Sequence, residues 1–168
     1  MWGHAGQGFA ALPLPQQCVR VAFDIGTNNG ADTVALAKHD LCVVGVDANP
    51  AMITLARQKV AREVANFDAR VRLANIGISD SPGILTFYIT PSKVHSSFEY
   101  AKALAHVDGN PDRIRAISIP TRPCEWLWRY LAVGVRPYYM KVDIEERHFV
   151  CIHALASLKR EYLLPSYV

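Results

Sequence analysis

Four apolar runs, each ending in a polar residue, constrain this chain more than any other feature. They are "CVRVAFD" (18–24), "LCVVGVD" (41–47), "ARVRLAN" (69–75) and "PYYMKVD" (137–143). Each is short and mainly apolar, with Val in all four, which predicts strands, buried ones at 18–24, 41–47 and 137–143. The segment 31–39 between the first two runs has helical character. Asn49 followed by Pro50 predicts a helix start, a cap and then proline at the first helical position. Ile53, Ala56, Val60 and Val64 recur at helical spacing and extend that helix over about 50–65. Strands alternating with helices predict an α/β fold, a mostly parallel sheet with helices on both faces. Such sheets bind ligands outside the carboxyl ends of their strands, near the switch point. Gly26 to Gly30, Asp47, Asn75 and Asp143 all fall at predicted strand ends, so four polar sites converge on one edge.

Between the third and fourth runs the alternation breaks. "GISDSPGILTFYI" predicts two short strands around the turn at 79–83, and residues 91–112 are polar with one short helix. "IRAISIP" is extended and 123–132 helical. After Asp143 a helix is expected from Glu145 to about Leu158, with Phe149, Ile152 and Leu155 on its apolar face, and "YLLPSYV" begins something strand-like. At 168 residues the chain reads as one domain, 18–168, with a polar acceptor-side insert at about 91–122 and a flexible leader over 1–17. The leader lacks the charged start of a secretory signal, and no apolar stretch reaches the roughly 20 residues of a membrane helix. A net charge of +3 is too small to argue for nucleic acid. Arg113, Arg115, Arg122, Arg129 and Arg136 read either as a solvated surface or as the mark of an anionic acceptor. Cys18, Cys42, Cys124 and Cys151 are widely spaced, and Cys42 and Cys151 lie in apolar segments. Buried reduced thiols are the expectation, and with them a reducing, cytoplasmic interior.

The loop after the first strand narrows the ligand. "FDIGTNNGADT" (23–33) frames glycines with Asp24 and Asp32. It lacks the Gly-x-Gly-x-x-Gly spacing of a dinucleotide cradle and the Lys-Ser/Thr pair of a triphosphate loop. Carboxylates close to a diphosphate repel it strongly in a cleft of low dielectric constant, which disfavours a nicotinamide-dependent oxidoreductase. S-adenosylmethionine carries no phosphate and has a cationic sulfonium and an ammonium group. Asp24 is expected to accept from that ammonium, directly or through water, while Gly26, Asn28 and Gly30 let the backbone approach. Asp47, at the end of the second strand, suits both ribose hydroxyls. Asn75 is a candidate for the adenine or the backbone beside it. Asp32 reads best as a helix-start carboxylate.

These residues resemble the FkbM-type S-adenosylmethionine-dependent methyltransferases from about residue 21 onward. The glycine loop, Phe23 through Gly30 with Thr33, is similar to that family's "FDIGAN-x-G-x-x-T", and "DANP" (47–50) to its "EPNP". "NIGISDSPGILTFY", the pair Ser96-Ser97 and "MKVDIE" (140–145) resemble further motifs in the family's order. The resemblance implies a Rossmann-like class I methyltransferase fold and, most often, transfer to oxygen. Arg122-Pro123-Cys124 stands where the family has Thr-Leu-Asp, and Glu146 stands where it has glycine. The chain also stops near the fifth core strand, so a sheet truncated at its C-terminal strands is expected.

For the chemistry, Asp143 is the candidate to orient the acceptor or take its proton, with Glu145 assisting. Lys141 is expected to point away along the strand. His95, in the insert, and His148 are rival bases. Asp143 and Glu145 are too few to hold a metal, so none is expected. The acceptor is expected to be the hydroxyl of a small molecule or glycan, with neither nucleic acid nor membrane as partner. A catalytically silent remnant that binds the cofactor and works as an interaction module is the alternative.

Overall fold

The four apolar runs form one parallel sheet. In the computed structural model, which describes residues 18–92, 95–127, 129, 137–144 and 148–157, strands β1 (Val21–Ile25), β2 (Cys42–Asp47), β3 (Val71–Asn75) and β7 (Pro137–Val142) lie in the order β3-β2-β1-β7. All three pairings are parallel. The order reverses at β1, because the chain first moves outward to β2 and β3 and then returns to the other side. The carboxyl edge beside β1 and β7 is therefore the switch point.

Alternation along each strand sends residues to two cores. Ala22, Val43, Val71 and Leu73 pack with helices α1 (Ala31–Lys38) and α2 (Pro50–Glu63). Val21, Phe23, Ile25, Val44, Val46 and Met140 pack on the opposite side, against the short α5 (Cys124–Trp126) and α6 (His148–Ser157). Helices thus cover both faces, and the strands read as mainly apolar runs for that reason. The cap of α2 forms as expected, since the Asn49 side chain accepts the Ala51 N–H at 3.0 Å with Pro50 in the first turn. A single turn, α3 (Phe67–Arg70), leads into β3.

The interrupted region builds a second, smaller sheet. Strands β4 (Gly77–Ile78) and β5 (Gly83–Ile89) both pair with β6 (Arg115–Arg122), the first parallel and the second antiparallel. Helix α4 (Tyr100–Ala105) lies between β5 and β6 in the chain. The leader 1–17, residues 145–147 and the strand-like segment after 158 lie outside the described residues.

Two expectations are corrected. On α6 the core side is Val150, Cys151 and Ala154, whereas Phe149 and Ile152 are exposed. The reason is the second correction: the cysteines are not reduced thiols. Cys18 bonds Cys42, and Cys124 bonds Cys151, which turns that face of α6 inward. Their burial was legible and their oxidation state was not. Disulfides persist in oxidising compartments, so the expected reducing interior loses its support. No helix among the described residues is long and apolar enough to cross a membrane.

With sequence separations of 24 and 27 residues, each bridge removes about 3.5 kcal/mol of unfolded-state freedom in the chain-entropy account. Alkylating the denatured, unreduced protein should label no cysteine, and reductant, by opening both bridges, should lower the unfolding temperature by more than about 10 °C. Four alkylated cysteines without reductant would instead match the thiol expectation.

Candidate functional site

At the switch point a cavity of about 300 Å³ opens, at the small end of the roughly 300–1,000 Å³ that small-molecule sites occupy. Each strand end contributes to it: Gly26 and Asn28 after β1, Asp47 to Asn49 at the end of β2, Ile76 to Ile78 after β3, and Asp143 with Ile144 after β7. Residues 95–98 of the insert close one side with Phe87 of β5. Phe98 packs so tightly over Gly77 that a side chain there would overlap its ring, and its own ring lies 4.8 Å from that of Phe87.

Asp47 organises the floor. Its Oδ2 accepts the Asn28 N–H at 2.8 Å and its Oδ1 accepts the Asn49 N–H at 2.7 Å. One carboxylate thereby fixes the loop after β1 and the turn into α2. Burial holds its carboxyl above the ordinary range, against the two N–H donors that favour the charge. Asn75 does not reach the cavity. Its amide donates to the carbonyls of Asp47 and Ala48 at 2.8 and 2.9 Å, tying the end of β3 to the same turn.

Asp24 also stands apart from the cavity wall, contrary to its expected role as a ligand contact. It is 0 % exposed. The reason is the strand's alternation: Asp24 pairs in register with Gly45 on one side and Lys141 on the other, and its side chain lies under α1. Thr33 of α1 donates its hydroxyl to Asp24 Oδ2 at 2.6 Å. Oδ1 has no hydrogen-bond donor and faces the Lys141 ammonium at 3.6 Å. Burial pushes this carboxyl up, and Thr33 and Lys141 only partly pull it back.

Lys141 does not point away from Asp143. Its Nζ lies 3.0 Å from Asp32 Oδ2, 3.3 Å from Asp143 Oδ2 and 3.6 Å from Asp24 Oδ1. Residues 141 and 143 share a side because strand alternation has a period of two, and three carboxylates gather on that side. Burial works against the lysine's charge, but Asp32, Asp24 and Asp143 outweigh it and raise its pKa. Asp32 is at once the first-turn acid of α1 and a partner of this lysine.

Among the sequence candidates, Gly26, Asn28, Asp47 and Asp143 come together on the cavity. Gly30 does not: an added Cβ there would lie 2.8 Å from the Cα of Ala56, so this glycine serves the contact between α1 and α2. Glu145 lies outside the described residues, as does the His148 side chain. His95 lines the cavity with its ring stacked on His106 at 4.3 Å. Sequence reasoning missed Lys141 and Thr33 as members of the site's support. The signal for Thr33 was its place in the first turn of α1, just after the glycine loop; the signal for Lys141 was strand alternation. No family model matches the chain, and no curated protein matches it.

Proposed function

We propose that the chain binds S-adenosylmethionine across the carboxyl edge of its sheet and transfers the methyl group to a hydroxyl of a small molecule or glycan, as a Rossmann-like methyltransferase of the FkbM type. One observation carries this reading: the cavity wall contains the carboxylates of Asp47 and Asp143 and, among the described residues, neither lysine nor arginine. A negative wall repels a diphosphate and attracts a cation. The ammonium beside it, that of Lys141, is shared among Asp143, Asp24 and Asp32, so the edge keeps an excess of carboxylates. The selectivity expected of Asp24 therefore passes to Asp47 and Asp143.

The remaining residues fit such a ligand. Each carboxylate oxygen has about two lone-pair sites, so Asp47 can hold its two N–H donors and still accept from two ribose hydroxyls. Val46, Met52, Ile76, Ile78 and Phe98 offer an apolar lining suited to a flat base. When bound, the cofactor supplies an electrophilic methyl group on a cationic sulfur. Asp143, 68 % exposed at the mouth, is the residue to orient the acceptor hydroxyl and accept its proton. Residues 95–98, which close one side of the cavity, help to exclude water.

Calorimetric titration with S-adenosylmethionine tests this. The wild-type protein should bind, and Asp47→Ala should bind at least about tenfold more weakly, a loss of about 1.4 kcal/mol. Equal binding by both proteins would remove Asp47 from the site.

A further inference from the structure

We propose that Lys141 is a positioning residue for this site: anchored by Asp24 and Asp32, its ammonium holds the Asp143 carboxylate in the cavity wall. The nature of the ligand rests on the methyltransferase reading; the side-chain arrangement does not. An ammonium carries three N–H groups, and Lys141 has three carboxylates within 3.6 Å. Two of them belong to the scaffold, Asp24 buried in β1 and Asp32 on the first turn of α1. The third, Asp143, is the one that lines the cavity. At 68 % exposure an aspartate is free to sample several rotamers, and the 3.3 Å contact with a half-buried, doubly anchored lysine selects one of them. Thr33 completes the anchor by holding the other oxygen of Asp24. Asp24 therefore acts on the ligand indirectly, through Lys141 and Asp143. This gives Asp24 a role in the site even though it does not line the cavity.

A purely structural Lys141, present only to neutralise Asp24, is the competing account. Removing Lys141 alone strands the buried carboxylate, so the variant to use is Asp24→Asn with Lys141→Met, compared against Asp24→Asn alone. The first readout is the set of Hα–Hβ NMR couplings of Asp143, and the second is calorimetry with S-adenosylmethionine. The couplings should report one rotamer in wild type, one in Asp24→Asn, where Asp32 at 3.0 Å and the amide oxygen replacing Asp24 Oδ1 still anchor the ammonium, and averaging in the double variant. Affinity should fall at least tenfold from Asp24→Asn to the double variant. Adding Asp143→Asn should weaken wild type by a similar factor and the double variant hardly at all, because Lys141 acts through Asp143. Lys141→Arg, which keeps the charge, should retain the single rotamer. A folded double variant with wild-type couplings overturns the proposal, and so does a full additional loss from Asp143→Asn. If wild type binds no S-adenosylmethionine while the couplings still average in the double variant, the positioning role stands and the ligand reading fails.

Discussion

Lys141→Met should destabilise the fold by about 3 kcal/mol, because breaking a buried ion pair leaves an uncompensated charge inside. The stranded group is Asp24, which is fully buried and keeps only the Thr33 hydroxyl as a partner. The pH dependence gives the loss a signature. Asp24 already has its carboxyl raised above the ordinary 3.8 by burial, and removing the ammonium raises it further. A raised carboxyl binds its proton more tightly in the folded state. Its contribution to stability is fullest below the unfolded value and is lost as pH rises through the folded one. The variant should therefore be more stable near about pH 5 than near about pH 8, with a steeper slope than wild type. Lys141 is itself raised above 10.5, so its contribution in wild type is present below that value and is lost as pH climbs through the raised one. That alkaline loss should vanish in the variant. Urea unfolding from about pH 5 to about pH 11 checks both limbs, and adding Asp24→Asn should restore most of the stability. A pH-independent loss left unrepaired by Asp24→Asn would mean that Lys141 acts through packing of its stem.

Gly26→Ala should have an effect of similar size for a different reason. Gly26 sits at a φ of 86°, where a side chain is strained, and an added Cβ would overlap the backbone carbonyl of Asp143. The left-handed conformation costs about 1–2 kcal/mol, and overpacking against a backbone adds about 1–3 kcal/mol. A loss of about 3 kcal/mol is the expected result. The clash also pushes the end of β7 away from β1, where the Asp143 N–H donates to the Ile25 carbonyl at 2.8 Å. Asp143 moves with it, so ligand affinity should fall together with stability. Gly109 supplies the control: its φ is 75°, yet an added Cβ would meet nothing within 4 Å. Gly109→Ala should show the conformational cost alone, about 1–2 kcal/mol, with binding unchanged. Equal losses at the two glycines would show that the contact with Asp143 contributes nothing.

The sheet was legible because its strands read as mainly apolar runs, interrupted by few charged residues. The start of α2 was legible because Asn49 and Pro50 state their cap chemistry locally. What could not be read depended on which strands become neighbours. The Cys18–Cys42 bridge needs β1 beside β2, and the contact of Lys141 with Asp24 needs β7 on the other side of β1. Neither adjacency is written within a few residues of sequence. The apolar face of α6 was misjudged for the same reason, since a partner 27 residues away decides which side turns inward. Asp24 was the instructive case. Its position before the glycine loop pointed to the ligand, but alternation along β1 sends its side chain beneath α1 instead. Asp47 and Asp143, at the ends of their strands, escape that constraint and reach the cavity.

The most direct test compares two ligands of opposite charge character at this cavity. Titrate the wild-type protein with S-adenosylmethionine and, separately, with a nicotinamide dinucleotide, following the backbone amides of residues 26–30 and 47–49 by NMR. Saturable shifts at both segments with the sulfonium compound, and none with the dinucleotide, are the predicted result. Tighter binding of the dinucleotide at those same amides would contradict the claim that two carboxylates set the preference.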